Sequence, residues 1–419
     1  MTQPHSPRSK TDDTTPPQDM PVTKAPRKAR RTPAEKTAPR PQAAAPAKTA
    51  PRARRLLRGF LMCVNALGAA ALIGGAYSGY ISPEKFGGYW GLLGLAFPLF
   101  LAAMLVLLAV QIFVYRKGAV AVFAALAVCG GPVFDYCPLH LFGREATPGA
   151  KTLKVMTYNV YNFTDTHPEE NGASPRNRTM NTIIESGADV VCLQETEIFG
   201  PFNGNKIHAE DMSLLNKLYP YIIRTGYYIT FLSKYPADAI HLDYKREDLE
   251  GDIGAYRVHI DEDRSITVFN VHLKSLGLTY HDYDIYRDFT GGKTREISEI
   301  RELKSSLLSK VAAANVTRAR QADKLGRYIE HYGGPDVIVC GDFNDVSGCH
   351  TIRRLEDFGL REVYPDVGFG PIITYNARRF YFGIDHVLWR GAMRPLSLEK
   401  GRTASSDHFP LTVEFELTE

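Results

Sequence analysis

Two stretches without a single charged side chain dominate what this 419-residue chain can become. GFLMCVNALGAAALIGGAYSGYISP runs from Gly59 to Pro83, and FGGYWGLLGLAFPLFLAAMLVLLAVQIFVY from Phe86 to Tyr115. Each exceeds the roughly 20 apolar residues that cross a bilayer, so transmembrane helices are expected over 59–82 and 89–115. A third uncharged run, Gly118 to Phe134, is just long enough for a third span over 118–134, with a re-entrant or interfacial segment as the alternative. The basic stretch RARRLLR before the first span, with Arg116 and Lys117 between the second and third, assigns the N-terminus to the cytoplasm by the positive-inside rule. Three spans then carry everything after Cys137 out of the cytoplasm, whereas two would keep it inside. The expected localisation is an integral protein of the inner or plasma membrane with an extracytoplasmic soluble domain.

Composition divides the remainder. Residues 1–55 hold 13 Lys+Arg against 4 Asp+Glu and 11 of the 26 prolines, with too little apolar surface to offset the entropy of ordering. This segment reads as a disordered basic Pro/Ala-rich tail, a solvated linker touching anionic lipid. Residues 56–137 form the membrane anchor and residues 150–419 a single soluble domain. From residue 151 onward 32 basic side chains face 39 acidic ones, so a broad basic face of the kind that grips duplex DNA is not expected. The six cysteines show no CxxC pair and no metal-binding spacing. Cys192 and Cys340 sit in apolar runs, as buried inert thiols do.

Within the soluble domain short apolar runs alternate with helical ones. LKVMTYNV, ADVVCLQE, YYITFLS, AYRVHI, SITVFNVHL, DVIVCGDF, FGIDHVLW and FPLTVEFEL have strand length, and ISEIRELKSSLLSKVAAANVTRARQADKLGRYIE has helical character. This is an α/β or α+β pattern with packed sheets. No GxGxxG or GxxxxGK[ST] opens a helix, which removes dinucleotide and P-loop nucleotide binding.

Several of those strands end in polar side chains. Asn159, Glu195, Asn270 with His272, Asp342 with Asn344, Asp385, and Asp407 with His408 all stand at strand mouths. Taken singly, each is more ordinary as a turn former, a helix cap or a structural histidine. Their joint occurrence points to one shared cluster. Carboxylates from Glu195, Asp342 and Asp407, with amides from Asn159 and Asn344, suit a hard divalent cation such as Mg²⁺ or Mn²⁺ that also binds substrate phosphate. Zinc is disfavoured by the shortage of histidines. A carboxylate fixing the tautomer of His408 would let it move a proton in metal-assisted phosphate ester hydrolysis.

In order and spacing, TYNVYNF (157–163), LQETE (193–197), FNVHLKS (269–275), GDFND (341–345), GIDHVLW (383–389) and SSDHFPL (405–411) resemble the endonuclease/exonuclease/phosphatase superfamily of DNase I-like metal-dependent phosphoesterases. The resemblance covers residues 151–419 and implies a two-sheet sandwich flanked by helices, here preceded by transmembrane helices. It implies that Glu195 is the principal metal ligand with Asn159 and Asp407 close by, and that Asp342 positions or deprotonates the attacking water. Asn344 and His272 would be both catalytic and substrate-binding, holding the phosphate, with Asn270 also substrate-binding. His408 would pair with Asp385. The implied activity is hydrolysis of phosphodiester, or phosphomonoester, bonds in nucleic acid or a phospholipid headgroup, with no obligate protein partner. The alternative is a catalytically silent, membrane-tethered binding module of the same fold.

Two local features bear on substrate. TYNVYNF lacks the acidic or glycine residue that follows the asparagine in abasic-site endonucleases, which counts against DNA repair. An insert of roughly 40 residues beyond His272 reads as a lid or specificity loop, and its Tyr280, Tyr283 and Tyr286, with Tyr244, suit base stacking, a lipid interface or plain loop packing. Arg318 and Gln321 in TRARQADKL match a helix pattern of the superfamily, an exposed helix face being an equal reading.

Overall fold

A computed structural model describes residues 50–165, 177–197, 207–226, 228–243, 252–277, 284, 297–377, 380–402 and 405–418. Almost all of the basic tail, and Tyr244, Tyr280, Tyr283 and Tyr286, lie outside them.

Helical stretches spanning Arg52–Tyr80 and Gly88–Val114 are each long and apolar enough to cross a membrane. The third apolar run forms two helices, Arg116–Val128 and Gly130–Tyr136, bent by 68° relative to each other. The expected third span over 118–134, with a re-entrant or interfacial segment as its alternative, thus carries a break at Cys129–Gly130, where Gly130, Gly131 and Pro132 weaken the helix. Leu72, Phe97, Leu101, Met104 and Val122 pack these apolar helices together. Asn65 and Gln111 are buried there and exchange side-chain amide hydrogen bonds of 3.2 and 2.5 Å, the pairing that polar groups require among apolar helices.

The soluble domain is built on fourteen strands: β1 Thr152–Asn159, β2 Val190–Gln194, β3 Tyr221–Thr225, β4 Ile229–Ser233, β5 Ala237–Ile240, β6 Asp252–His259, β7 Ser265–His272, β8 Val337–Asp342, β9 Arg361–Glu362, β10 Tyr375–Ala377, β11 Phe380–Phe382, β12 Asp385–Arg390, β13 Met393–Lys400 and β14 Leu411–Leu417. One sheet runs β13-β14-β1-β2-β4-β3 and the other β5-β6-β7-β8-β12-β9, with β10-β11 a separate hairpin. The parallel pairs β1–β2 and β7–β8 lie inside their sheets. Accordingly β2 and β8, buried along their whole length, read as apolar runs up to a polar last residue, VVCLQ and VIVCGD.

Alternation along the strands sorts side chains into layers. On β7, Ile266 and Val268 join Val155, Phe231, Ile338 and Phe415 between the sheets. Their neighbours Phe269 and Val271 face outward against Leu325 and Ile329 of the helix Ile297–Tyr332. That helix takes in the second half of the expected insert and buries Ala322, Leu325 and Ile329 at helical spacing. The helices Arg178–Glu185 and Ala209–Leu218 cover the opposite sheet through Met180, Ile183 and Leu215. The result is the expected helix-flanked, DNase I-like two-sheet sandwich.

Candidate active site

Strand register alone assembles half of the cluster. His272 on β7 is the register partner of Asp342 on β8, and Asp342 is that of Asp385 on β12. On the facing sheet Asn159 stands beside Gln194, so Glu195 follows at the same sheet end. Gly341 makes this close packing feasible: a Cβ there would lie 1.9 Å from the Val271 carbonyl oxygen. Glu195 and Asn344 hold φ of 53° and 52°, a region costly for residues other than glycine and concentrated at functional sites.

The geometry joins carboxylates, amides and imidazoles. Asn159 Nδ2 donates to Glu195 Oε1 at 2.9 Å and to Asp342 Oδ2 at 3.0 Å. Its Oδ1 accepts from Tyr161 N, so Asn159 bridges the two carboxylates through its nitrogen. His272 Nε2 lies 3.9 Å from Glu195 and 3.7 Å from Asp342. His408 Nδ1 bonds Asp385 Oδ2 at 2.8 Å, which leaves Nε2 3.6 Å from Asp342 Oδ2. Asp342 Oδ1 accepts from Asn344 N, and Asn344 Nδ2 donates to the Leu273 carbonyl.

Electrostatics follow from burial and proximity. Burial by itself would favour a neutral His408, yet Asp385 and Asp342 outweigh it and raise its pKa to about 10. Burial lifts Asp407 to about 6, opposed by His408 and reinforced by Glu195 and Asp342. Like-charged carboxylates converging this closely leave negative charge that a divalent cation neutralises. Glu195, His272 and Asp342 can offer ligand atoms within 4.8 Å of one another. These oxygen-rich donors fit Mg²⁺ or Mn²⁺ well.

Supporting residues hold the cluster from outside. Ser406 donates to the Asn159 carbonyl at 2.8 Å, and Tyr158 and Thr179 both meet Ser405. The Thr374 hydroxyl accepts from the backbone N–H groups of Ile384 and Asp385. Asp345 accepts from the Thr351 hydroxyl at 2.7 Å and lies 3.4 Å from Arg318 Nε, while the helix His350–Glu356 that follows is capped by Cys349 without a side-chain hydrogen bond.

One expected contact is corrected. Asn270 does not face substrate: it is fully buried between the sheets, donates to the Leu193 and Thr230 carbonyls, and accepts from Gln194 Nε2 at 2.7 Å. It ties the two sheets together below the site, and no hydrogen-bonding capacity points outward. The exposed-face reading of Arg318 and Gln321 also gives way. Both are buried, and Arg318 Nη1 donates to the Lys274 carbonyl while Gln321 Oε1 accepts from Lys274 N, each at 2.9 Å. They clamp the chain just beyond His272, and TRARQADKL was the available signal. His386 had none beyond its adjacency to Asp385; it bonds Glu362 Oε1 at 2.7 Å and the Asp345 carbonyl at 2.8 Å, pinning the GDFND loop.

A largely buried cluster of carboxylates with two histidines at the mouth of a β-sandwich has the donors that metal-assisted chemistry on phosphate esters uses. Residues 156–408 match the model of the Endonuclease/Exonuclease/phosphatase family; the chain belongs to that family and is a hydrolase acting on phosphate esters. Residues 58–136 match a second model, described as a domain of unknown function. No curated protein matches the chain. Similar solved structures include truncated TDP2 of Caenorhabditis elegans, at 16% identity over 63% of this chain and 98% of that one, with a TM-score of 0.39. An endonuclease/exonuclease/phosphatase of Beutenbergia cavernae is 16% identical over 64% and 72%, TM-score 0.41. A Bacteroides thetaiotaomicron protein of the same family description is 14% identical over 64% and 99%, TM-score 0.41.

Proposed function

We propose that the chain is a membrane-anchored phosphodiesterase using Mg²⁺ or Mn²⁺, with a basic tail to residue 55, an anchor over 56–137 and a catalytic domain over 150–419. The carrying observation is the convergence of Glu195, Asp342, His272 and the His408–Asp385 pair. Glu195, Asp342 and Asp407 would hold the cation, with His272 at its edge and Asn159 orienting the two carboxylates. When bound, the cation neutralises charge on a phosphoryl oxygen. Asp342 orients the attacking water, and Asn344 and His272 hold the phosphate. His408, fixed by Asp385, presents Nε2 to the reacting centre, where it manages a proton or stabilises growing negative charge. The water oxygen bonds to phosphorus as the water gives up a proton, the ester P–O bond breaks, and the leaving alkoxide takes up a proton to depart as the alcohol.

Anchor contacts support an extracytoplasmic site. The loop between the first two spans bonds the catalytic domain through Gly79 and His350, and Arg353 reaches Asp135 at the end of the bent third segment at 2.6 Å. Both therefore emerge on the catalytic side, opposite the basic residues Arg52–Arg58 and Arg116–Lys117. A C-terminal fusion reporter active only outside the cytoplasm tests this orientation; a cytoplasmic signal contradicts it.

The full chain in detergent should hydrolyse bis(p-nitrophenyl) phosphate with Mg²⁺ or Mn²⁺ and lose that activity in EDTA. Glu195→Gln and His408→Gln should each lower kcat by about 10²–10⁴. Undiminished hydrolysis by Glu195→Gln would overturn the proposed metal site.

A further inference from the structure

One wall of the active-site pocket comes from the membrane anchor. Alongside Glu195, Asp342 and His408, a cavity of about 230 Å³ is lined by Gly91 and Leu95. These belong to the first turns of the helix Gly91–Val114 and, four residues apart, share one helical face. That helix is pressed onto the catalytic domain: a Cβ on Gly91 would lie 2.2 Å from Asn315 Nδ2, and one on Gly94 3.0 Å from Cys349 Sγ. The preceding loop is seated as well. Asn315 donates to the Gly88 carbonyl at 2.8 Å, and Arg320 pairs with Glu84 at 2.7 Å.

The depth of this wall follows from its neighbours. Exposed Tyr89 and Trp90 immediately precede the helix, and these amphipathic aromatics collect at the membrane–water boundary. Gly91 and Leu95 therefore lie at the depth where the hydrocarbon layer begins, on the side of the span turned to the catalytic domain. Val311 and Ile384 add further apolar surface to the same pocket. Its charged end is continuous with an apolar end at membrane level.

We infer that the pocket takes a phosphodiester carried on a membrane lipid, with the phosphate at Glu195, Asp342 and His408 and the adjoining hydrocarbon against Gly91, Leu95 and Val311. The anchor is then part of the substrate site as well as a tether. This rests on the phosphoesterase reading above. A polynucleotide would bring charged phosphates and polar sugars against Leu95 and Val311, losing hydration without replacement hydrogen bonds. An alkyl chain gains there from leaving water.

The test compares two esters with the same leaving group, p-nitrophenyl ethyl phosphate and p-nitrophenyl hexadecyl phosphate, using the full chain in detergent micelles with Mg²⁺ or Mn²⁺. The expected kcat/KM for the hexadecyl ester exceeds that for the ethyl ester by about tenfold or more, the worth of a few buried methylenes. Leu95→Trp, which fills the wall, and Leu95→Ala, which shortens it, should each lower that ratio, the former by about tenfold. The ratio is internal to each variant, so partial loss of folded protein does not alter it. A wild-type ratio near one, or a preference untouched by both variants, overturns the lipid assignment while leaving the phosphoesterase reading intact. Hydrolysis of neither ester overturns both.

Discussion

Asp385 accepts a hydrogen bond from His408 Nδ1 at 2.8 Å, and both residues are almost completely buried. This fixes which imidazole nitrogen faces the pocket. Asp385→Asn keeps the shape but removes the charge that holds His408. It should reduce kcat by about 10²–10⁴ with little change in KM, measured by steady-state hydrolysis of the folded fraction, and should lower the thermal unfolding midpoint because His408 loses the buried carboxylate that holds its charge.

Asn159 separates two carboxylates by donating to each. Asn159→Leu removes both donors at similar volume. Metal affinity should fall by about 10–100-fold, read by isothermal titration with Mg²⁺ or Mn²⁺, while the circular dichroism spectrum is retained.

On Gly341 of β8 a Cβ would lie 1.9 Å from the carbonyl oxygen of Val271 on β7. Gly341→Ala forces the strands apart at the register that pairs His272 with Asp342. A destabilisation of about 2 kcal/mol or more is expected from such overpacking, measured by denaturant unfolding, together with loss of activity in the surviving folded protein.

Glu416 accepts from Arg394 and from the backbone and hydroxyl of Thr147, and these bonds hold its pKa down to about 2. A carboxyl depressed in the folded state stabilises it above the unfolded pKa of about 4.3 and loses that contribution as pH falls towards 2. Glu416→Gln should lower the unfolding midpoint at pH 7 and flatten its decline between about pH 4.5 and 2, as followed by thermal melts across that range.

Arg353 binds the anchor residue Asp135 and its own helix neighbour Glu356 at 2.6 and 2.9 Å. Arg353→Ala and Asp135→Ala should each destabilise the full chain. A double-mutant cycle should return a coupling of about 1 kcal/mol or more for this largely buried, charge-assisted bond.

Much of the active cluster was legible because strand ends carry chemistry that strands do not need. Glu195, Asp342, Asp385 and His408 each break an apolar run, and such breaks are visible residue by residue. Asn270 breaks one in the same way, yet it turns towards the opposite sheet, where Leu193 and Thr230 supply its partners. Alternation assigns Asn270 and His272 to one face without saying whether the second sheet reaches over that face. For Asn270 it does; His272, two residues nearer the end, is left at the pocket. Arg318 was ambiguous for a similar reason, since a basic residue on a long helix is ordinarily solvated, and the folded chain gives it buried partners in the Lys274 carbonyl, Asn315 and Asp345.

The sequence by itself determined the apolar spans, the alternating strands and the chemical identity of the cluster, because charge, periodicity and side-chain functional groups are local properties. Tertiary structure decided which polar strand ends meet, through the β7–β8–β12 register and the approach of the two sheets. It also decided that Gly91 and Leu95, far from the catalytic motifs along the chain, line the same pocket. No local pattern records that, because contact between an apolar helix and a domain distant along the chain depends on how both surfaces fit once each has folded.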